Sequence, residues 1–172
     1  MKDYIIETGR CFIREIEESD IAAEITMFNG PHMSDFIDPP EDYDTELQLC
    51  REHAAKVYGK YGYGMWGIFD RKTGELIGEA GLEPRFDVDR QDYPFDWMFE
   101  RSCAELGFFI SESLWGQGYC TEACREILSY CNRKFGITVV FARAEDENRA
   151  SVRVLEKLGF TRLEKNLFIK KC

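Results

Sequence analysis

The chain has 172 residues, 44% of them hydrophobic and 14% aromatic, and this composition predicts one globular domain spanning 1–172. The formal net charge of −10 argues against a nucleic-acid partner. No apolar run reaches the roughly 18–20 residues that a membrane span needs, so we expect no membrane partner. The amino-terminal sequence MKDYIIETGR has no secretory signal, so we expect a cytoplasmic protein.

The hydrophobic pattern predicts an α+β chain. A first strand is predicted over 10–16, and Ser19 and Asp20 are predicted to cap the helix that follows. A second helix is predicted near 44–59. Strands over 63–70 and 75–83 form a hairpin through the turn DRKTG. The later predicted elements are a strand at 103–110 with a bulge at its glycine, a helix at 121–135, a strand at 137–144, a helix capped at 146–148 and a closing hairpin.

The seven cysteines and the two histidines, His32 and His53, predict neither a disulfide framework nor a metal site. The cysteine count is odd and no pair has CxxC spacing. Cys124 and Cys131 are spaced like residues of one helix face, and we expect them to be small core residues. Cys120 lies in a glycine-rich turn, where we expect it to fill space.

That turn, LWGQGYCTEA, joins the strand at 103–110 to the helix at 121–135. The first amides of a helix lack intrahelical acceptors and the helix dipole favours negative charge, so a strand, a glycine turn and a helix form an anion site. The turn itself does not have the GxGxxG pattern, because Tyr119, Cys120 and Thr121 follow its second glycine, and no Walker pattern occurs. The turn alone would also fit a nucleotide-binding regulatory domain.

The segments ELGFFISESLWGQGYCTEA and EDENRASVRVLEKLGF together resemble the GNAT superfamily of acetyl-CoA-dependent N-acetyltransferases, and most of all its RimJ and RimL branch. The resemblance begins at RCFIREIEESD and extends to the closing hairpin. It implies one mixed, mostly antiparallel sheet with helices on both faces and strands that splay apart at the cofactor site. It also implies acetyl-CoA as co-substrate and acetyl transfer to a primary amine.

The same resemblance assigns the cofactor-binding residues. Strand backbone would pair with the pantetheine arm, amides of the turn would hold the diphosphate, and Asn148 would contact the arm in addition to capping a helix. Cys120 departs from the glycine or alanine that usually ends the family's turn pattern. The assigned residues are Phe108, Phe109, Ile110, Trp115, Gly116, Gln117, Gly118, Tyr119, Cys120, Thr121, Asn148 and Ser151.

Two residues are candidates for catalysis. The resemblance makes Glu105 a general base, acting directly or through water, and the competing interpretation is a salt-bridged glutamate. Leu155 stands where many family members carry a tyrosine acid. Ser151, one helical turn earlier, is the substitute candidate, with an ordinary surface serine as the alternative. A binding module that kept the coenzyme site but lost turnover is the alternative to an enzyme.

The acceptor is expected to be a cationic amine, because residues 1–110 carry a net charge of −13 and residues 111–172 carry +3. Two loops, 29–44 and 84–102, are predicted to wall its site. Their candidate side chains are Phe36, Asp38, Tyr43, Asp87, Asp89, Asp92, Tyr93, Phe95, Asp96, Trp97, Phe99 and Glu100. A peptide amino terminus, a polyamine, an aminoglycoside or another small amine fits, and so does an acyl group other than acetyl. Monomer and homodimer both remain open.

Overall fold

An eight-stranded sheet organises the computed structural model, which describes residues 4–35, 42–85 and 94–172. The strands are β1 (Ile6–Glu7), β2 (Cys11–Arg14), β3 (Met65–Asp70), β4 (Leu76–Glu83), β5 (Cys103–Ile110), β6 (Val139–Arg143), β7 (Thr161–Arg162) and β8 (Leu167–Lys171). Their order across the sheet is β1-β2-β3-β4-β5-β6-β8-β7. Neighbours are antiparallel except β5 and β6, which are parallel. The mixed, mostly antiparallel sheet is therefore confirmed.

Five helical segments lie in the described residues: α1 (Ile21–Phe28), α2 (Tyr43–His53), α3 (Gly59–Tyr61), α4 (Tyr119–Phe135) and α5 (Arg149–Lys157). A π-helical turn at Ala54–Tyr58 joins α2 to α3, so the predicted helix near 44–59 is one continuous helical segment. Gly136, with φ of 69°, ends α4 where the sequence predicted it. The first strand is shorter than predicted, and β1 was not predicted because two residues carry too little pattern.

Helix α4 packs its apolar stripe against one face of the sheet. Cys124, Ile127 and Cys131 have no exposed surface, which confirms that both cysteines are core residues. The ring of Tyr130 meets Trp66 of β3 edge to face, with 5.9 Å between centroids. Burying a side chain such as Ile127 stabilises the fold by about 1.5–3 kcal/mol. This layer fixes the helix whose amino terminus forms the predicted anion site.

Helices α1 and α2 cover the opposite face. Side chains of a strand alternate between faces, so Glu79 of β4 points away from the face that its neighbour Ala80 shares with α4. Phe28 of α1 packs on Phe109 of β5 with 4.6 Å between ring centroids. Helices therefore lie on both faces, as expected, and Phe109 and Glu79, which are paired residues of neighbouring strands, both face α1.

The predicted bulge at Gly107 was wrong, and Asp20 caps the turn before α1 and not α1 itself. Asp20 makes no side-chain cap bond within α1; instead its carboxylate accepts from the backbone N–H of Glu17 at 2.9 Å, in a capping box at the turn Glu18–Asp20, and from both guanidinium nitrogens of Arg14 at 2.7 and 2.9 Å. Gly107 forms no bulge and pairs in register with Gly81. A Cβ at Gly107 would lie 3.0 Å from the sulfur of Met65, so the glycine makes room for that side chain.

Candidate active site

The turn between β5 and α4 is fixed by two glycines and a tryptophan. Gly116 and Gly118 have φ angles of 73° and 83°, a region that residues with a Cβ rarely adopt. The indole N–H of Trp115 donates to the carbonyl of Ile110 at 2.8 Å and ties the turn back to the strand. A Cβ built on Gly116 would meet nothing within 4 Å. The glycines therefore set the backbone conformation and leave the outer face of the turn open.

The amides of this turn are available to a ligand. Within the part of the chain that the structure describes, the backbone N–H groups of Gly116, Gly118, Tyr119, Cys120 and Thr121 have no hydrogen-bond acceptor. They surround the amino terminus of α4, whose 17 residues add the positive end of a helix dipole. Gln117 differs, since its N–H donates to the carbonyl of Leu114 at 3.3 Å. The donor set fits an anion such as a diphosphate.

Arg10 reinforces the turn from the far end of the sequence. Its Nε lies 2.6 Å from Glu122 in the first turn of α4, and its guanidinium donates to the carbonyl of Gln117 at 3.0 Å. The same group lies 4.1 Å from the ring centroid of Tyr119. Glu122 also accepts from the Thr8 hydroxyl at 2.7 Å. Arg10 therefore neutralises a carboxylate close to the open amides, a contact that local sequence could not predict.

Strands β5 and β6 pair at three positions and then part. The pairs are Cys103 with Val139, Ala104 with Val140 and Glu105 with Phe141. Beyond Glu105, strand β5 has no partner on its β6 side within the described residues, while β6 stays paired with β8 as far as Arg143. The expected splay is therefore present. It opens the edge of β5 beside the glycine turn.

Only alternate residues of β5 face that opening. Antiparallel partners alternate between hydrogen-bonded and non-hydrogen-bonded pairs, and Ser111 N–H bonds to Ile77 O at 2.8 Å. Phe109 is two residues away from Ser111, so its backbone bonds to Glu79 of β4. Phe108 and Ile110 direct their backbone groups to the open side, where the Ile110 carbonyl already accepts from Trp115. Of the three residues expected to pair with the pantetheine arm, only Phe108 and Ile110 therefore have backbone groups that face it, and Phe109 does not.

Glu105 is the inward-facing carboxylate where the strands part. It accepts from Nε of Arg85 at 2.7 Å and from Nε of Arg143 at 3.0 Å, and Arg85 also pairs with Glu83. The side chain of Glu105 is buried. These contacts match the interpretation of Glu105 as an ion-paired glutamate, and its role as general base stays a prediction.

Asn148 and Ser151 lie at the start of α5, beyond the far end of β6. The Oδ1 atom of Asn148 accepts from the backbone N–H of Ser151 at 3.1 Å, so the predicted cap is confirmed. No acceptor for the Asn148 amide nitrogen is found in the described residues, which leaves that donor for a ligand. Ser151 is half-buried and Leu155 is fully buried. The helix therefore turns Leu155 into the core.

A cavity of about 400 Å³ lies between α1, α2 and strands β3 and β4. Glu79 and Glu24 line it, and burial raises the pKa of both, with the nearby Glu24 raising that of Glu79 further. His53 lines it too, and burial lowers the pKa of that imidazole. Tyr58 donates its hydroxyl to the carbonyl of Met65 at the same cavity. Sequence patterns gave no signal for this acidic cavity because its parts come from three distant segments.

The predicted loop walls are described only in part. Phe95 and Trp97 stack with 5.8 Å between centroids, Trp97 meets Phe141 edge to face, and Phe99 is buried beside them. These aromatic side chains therefore pack on the sheet. Tyr43, Asp96 and Glu100 are exposed. The remaining wall candidates, Phe36, Asp38, Asp87, Asp89, Asp92 and Tyr93, lie outside the described residues.

No helix in the described residues is both long and apolar enough to span a bilayer. No cluster of three or more histidine, cysteine, aspartate or glutamate side chains in those same ranges is arranged to hold a metal ion. All seven cysteines carry free thiols, and Cys120 is buried 4.0 Å from the sulfur of Cys124.

A parallel strand pair that parts beside an amide-lined glycine turn is the architecture of acyltransferases that take their acyl group from coenzyme A. The chain belongs to the GNAT acetyltransferases: the family model described as "Acetyltransferase (GNAT) domain" matches residues 10–161. It is an N-acetyltransferase, and the family draws its acetyl group from acetyl-CoA.

Among relatives, the chain is 28% identical over 158 residues to the uncharacterized N-acetyltransferase YoaA of Bacillus subtilis (strain 168), covering 91% of this chain and 82% of YoaA. Among solved structures, the fold matches a putative ribosomal-protein-serine acetyltransferase from Vibrio cholerae with a TM-score of 0.78 and 17% identity, over 99% of this chain and 98% of that one. It also matches RimL, a ribosomal L7/L12 alpha-N-protein acetyltransferase in complex with coenzyme A, with a TM-score of 0.75 and 16% identity over 98% of each chain.

Proposed function

We propose that this N-acetyltransferase moves an acetyl group from acetyl-CoA to a primary amine, either a peptide amino terminus or a small amine, by direct attack. The observation that carries the proposal is the set of unpaired amides around Gly116 and Gly118, placed beside the open edge of β5. A diphosphate on those amides lies at one end of the opening, and the acidic cavity lies on the α1 and α2 side of the sheet.

The cofactor-binding residues follow from this placement. The amides of Gly116, Gly118, Tyr119, Cys120 and Thr121 are proposed to hold the diphosphate, with Trp115 and Gln117 shaping the turn. Phe108 and Ile110 are proposed to pair through their backbone with the pantetheine arm, and Phe109 to line it with its ring. The free amide nitrogen of Asn148 is proposed to donate to the same arm. A thioester bound there supplies the acetyl group.

The proton transfers are assigned to two side chains. An amine must be neutral to attack, although an α-amine titrates at about 7.7–8.0 and an alkylamine near 10.4. Glu105 is proposed to take the proton that the amine loses, directly or through water. The hydroxyl of Ser151 is proposed to give a proton to the departing sulfur, because Leu155 is buried and carries no acid.

Direct attack is proposed because the site lacks an activated nucleophile. Cys120 is buried against Cys124 rather than open to the turn surface. His53 lines the cavity on the α1 and α2 face of the sheet, whereas Cys120 lies on the α4 face, and His32 is at the surface beside Asp35. Nucleophilic cysteines need a neighbouring base or cation, and Cys120 has none in the contacts described. Positioning of amine and thioester would then supply much of the acceleration.

Thiol release from acetyl-CoA, measured against a panel of peptide amino termini and small amines, tests the proposal. We expect release that saturates with at least one amine and an acetylated product of matching mass. Coenzyme A binding without thiol release on any amine would instead favour the alternative, an acetyl-CoA sensor or scaffold. Running the same panel with propionyl-CoA compares acyl donors.

A further inference from the structure

One oxygen of the carboxyl group on the floor of the acidic cavity has no hydrogen-bond donor in the described residues. The residue is Glu79, which is 6% exposed, and the oxygen is its Oε1 atom. Leaving such a group buried and unsatisfied costs about 1–3 kcal/mol, and more when it is charged. Native proteins rarely leave one without a ligand, water or ion. Glu79 therefore points to a missing hydrogen-bond donor.

A second acid interacts with Glu79. Glu24 of α1 lies against it, close enough for the two carboxyl groups to share a hydrogen bond. Ionised carboxylates only accept hydrogen bonds, so the shared bond requires a proton on one of them. Burial raises the pKa of both groups and keeps that proton bound. A cation entering the cavity would take the place of that proton.

The rest of the cavity selects the kind of cation. Leu49, Val57 and Met65 supply aliphatic wall, which suits a hydrocarbon chain. Glu46 and Glu83 add two further acids, and Glu46 raises the pKa of Glu79. The lining therefore combines apolar walls with an acidic floor.

Among the described ion pairs, Arg85 pairs with Glu83, whereas Glu24, Glu46 and Glu79 have no cationic partner. Lys56 pairs with Glu52 of the same helical segment at 2.7 Å. Burial lowers the pKa of His53, which favours its neutral form. The described lining of the cavity therefore has more acidic groups than cationic ones, and its walls are aliphatic.

We propose that the cavity binds the primary ammonium group of a short aliphatic diamine at Glu79 and Glu24, so that the second amine of the same molecule reaches the thioester as acetyl acceptor. This inference rests on the proposed function. It names the acceptor class of that site, and it adds a binding residue, Glu79, that neither the glycine turn nor the resemblance assigns.

The spacing of the strands sets the distance that the diamine must span between Glu79 and the thioester. Glu79 of β4 pairs with Phe109 of β5, and neighbouring strands lie about 4.8 Å apart. Phe109 belongs to the open edge of β5, and its ring packs on Phe28 of α1 beside the cavity. The arm would lie beyond β5, so a molecule held at Glu79 needs to span about two strand spacings, about 10 Å, to reach the thioester. A short diamine meets that requirement, while a monoamine of the same length can occupy only one of the two positions.

Binding should release the shared proton. The ammonium donates its N–H groups to Glu79 and Glu24, both acids become carboxylates, and the proton passes to solvent. The titratable groups that line the cavity around these two acids are, besides Glu24 and Glu79 themselves, Glu46, Cys50, Glu52, His53, Lys56, Tyr58 and Glu83. Calorimetry in buffers of different ionisation enthalpy measures the proton count directly.

The test is isothermal titration of putrescine and n-butylamine into the whole apo chain, for wild type, Glu79→Gln and the exposed control Glu156→Gln. We expect putrescine to bind wild type and Glu156→Gln with release of about one proton near neutral pH. Glu79→Gln should weaken putrescine binding by about tenfold or more and abolish proton release. Glu24→Gln provides a second variant of the pair. Thermal unfolding of each variant confirms folding.

The outcomes separate this inference from the proposed function. Equal affinity of wild type and Glu79→Gln for putrescine, or no binding by either, overturns the diamine site. If acetyl transfer then proceeds equally well to butylamine and putrescine, the proposed function stands without it. If putrescine binds through Glu79 but no amine yields thiol release, the site stands and the proposed function fails.

Discussion

The Nε atom of Arg85 lies 2.7 Å from Oε2 of Glu105, and Arg143 occupies the other oxygen at 3.0 Å. Two guanidinium groups thus hold the carboxylate that is also the candidate general base. A base in this setting needs a water relay or a shift of one arginine when the amine arrives. The two interpretations of Glu105 predict different kinetics.

We expect Glu105→Gln to lower kcat by about 10²–10⁴-fold, with the largest loss at low pH, because amine deprotonation is hardest there. The measurement is kcat against pH, with Glu156→Gln, an exposed carboxyl on α5, as the control. A profile parallel to that of wild type would remove Glu105 from proton transfer. The substitution would then show itself in a lower Tm, since both arginines would lose their charged partner.

Alanine at Gly116 or Gly118 should weaken coenzyme A binding. Both residues have positive φ, and a Cβ there costs about 1–2 kcal/mol or forces the peptide to turn its N–H away from the ligand. Gly74→Ala is the matched control, since Gly74 has φ of 74° in the β3–β4 hairpin and open space around it. We expect similar stability losses from all three but a rise of about tenfold in the Kd for coenzyme A only from the first two. Equal Kd values for Gly118→Ala and Gly74→Ala would exclude the turn as the diphosphate site.

Ser151→Ala should lower kcat without destabilising α5. The cap bond uses the backbone N–H of Ser151, which alanine keeps, so only the hydroxyl is lost. We expect a fall of about 10²-fold or more with acetyl-CoA, and a smaller fall with an acetyl thioester of a more acidic thiol, which leaves without help. Ser129→Ala on α4 is the control. If the loss is the same for both thioesters, Ser151 is not the proton donor.

Asp20→Asn should destabilise the protein strongly. It leaves the Arg14 guanidinium, 4% exposed and stacked over Phe69, without a carboxylate. Breaking a buried pair by removing one partner costs about 3–5 kcal/mol. Glu18→Gln breaks an exposed pair with Arg51 and should change little. Urea denaturation of both variants measures the difference, and comparable losses would mean that burial of the Arg14 pair adds nothing.

Glu79→Gln should stabilise the apo protein as pH rises. Burial raises the folded-state pKa of Glu79, so its contribution is complete below the ordinary glutamate pKa and is lost as pH climbs through the raised value. Glutamine has no proton to lose, so Tm of the variant minus Tm of wild type should grow from about pH 5 to about pH 9. The subtraction cancels the opposite contribution of His53, whose pKa burial lowers. A difference in Tm that does not change with pH would mean that ionisation of Glu79 does not destabilise the folded protein.

Local signals predicted much of the molecule. β5 begins and ends where its apolar run does, and α4 ends at Gly136, because glycine and hydrophobic periodicity act within a few residues. The start of α4 was placed two residues late, since the turn glycine at Gly118 lies immediately before the first helical residue. The amide-lined turn was therefore predictable from sequence and family resemblance together.

Long-range pairs were not predictable in this way. The Arg10–Glu122 and Glu24–Glu79 contacts each join segments more than fifty residues apart in the sequence. No local feature of either segment indicates which residue it will contact. Asp20 shows a related limit, because its carboxylate pairs with the buried Arg14 in addition to its capping contact with Glu17. Chemistry that depends on such pairs appears only when the fold brings them together.

The three-residue seam between β5 and β6 divides the sheet into a five-stranded and a three-stranded block. A pantetheine arm bonded to Phe108 and Ile110 would fill the gap between these blocks as an extra strand does. Saturation with coenzyme A should therefore reduce the motion of the whole sheet and not only of the turn. Deuterium uptake at the amides of β5 and β6 reports this directly. Unchanged uptake along both strands at saturating coenzyme would show that the blocks are rigid without it.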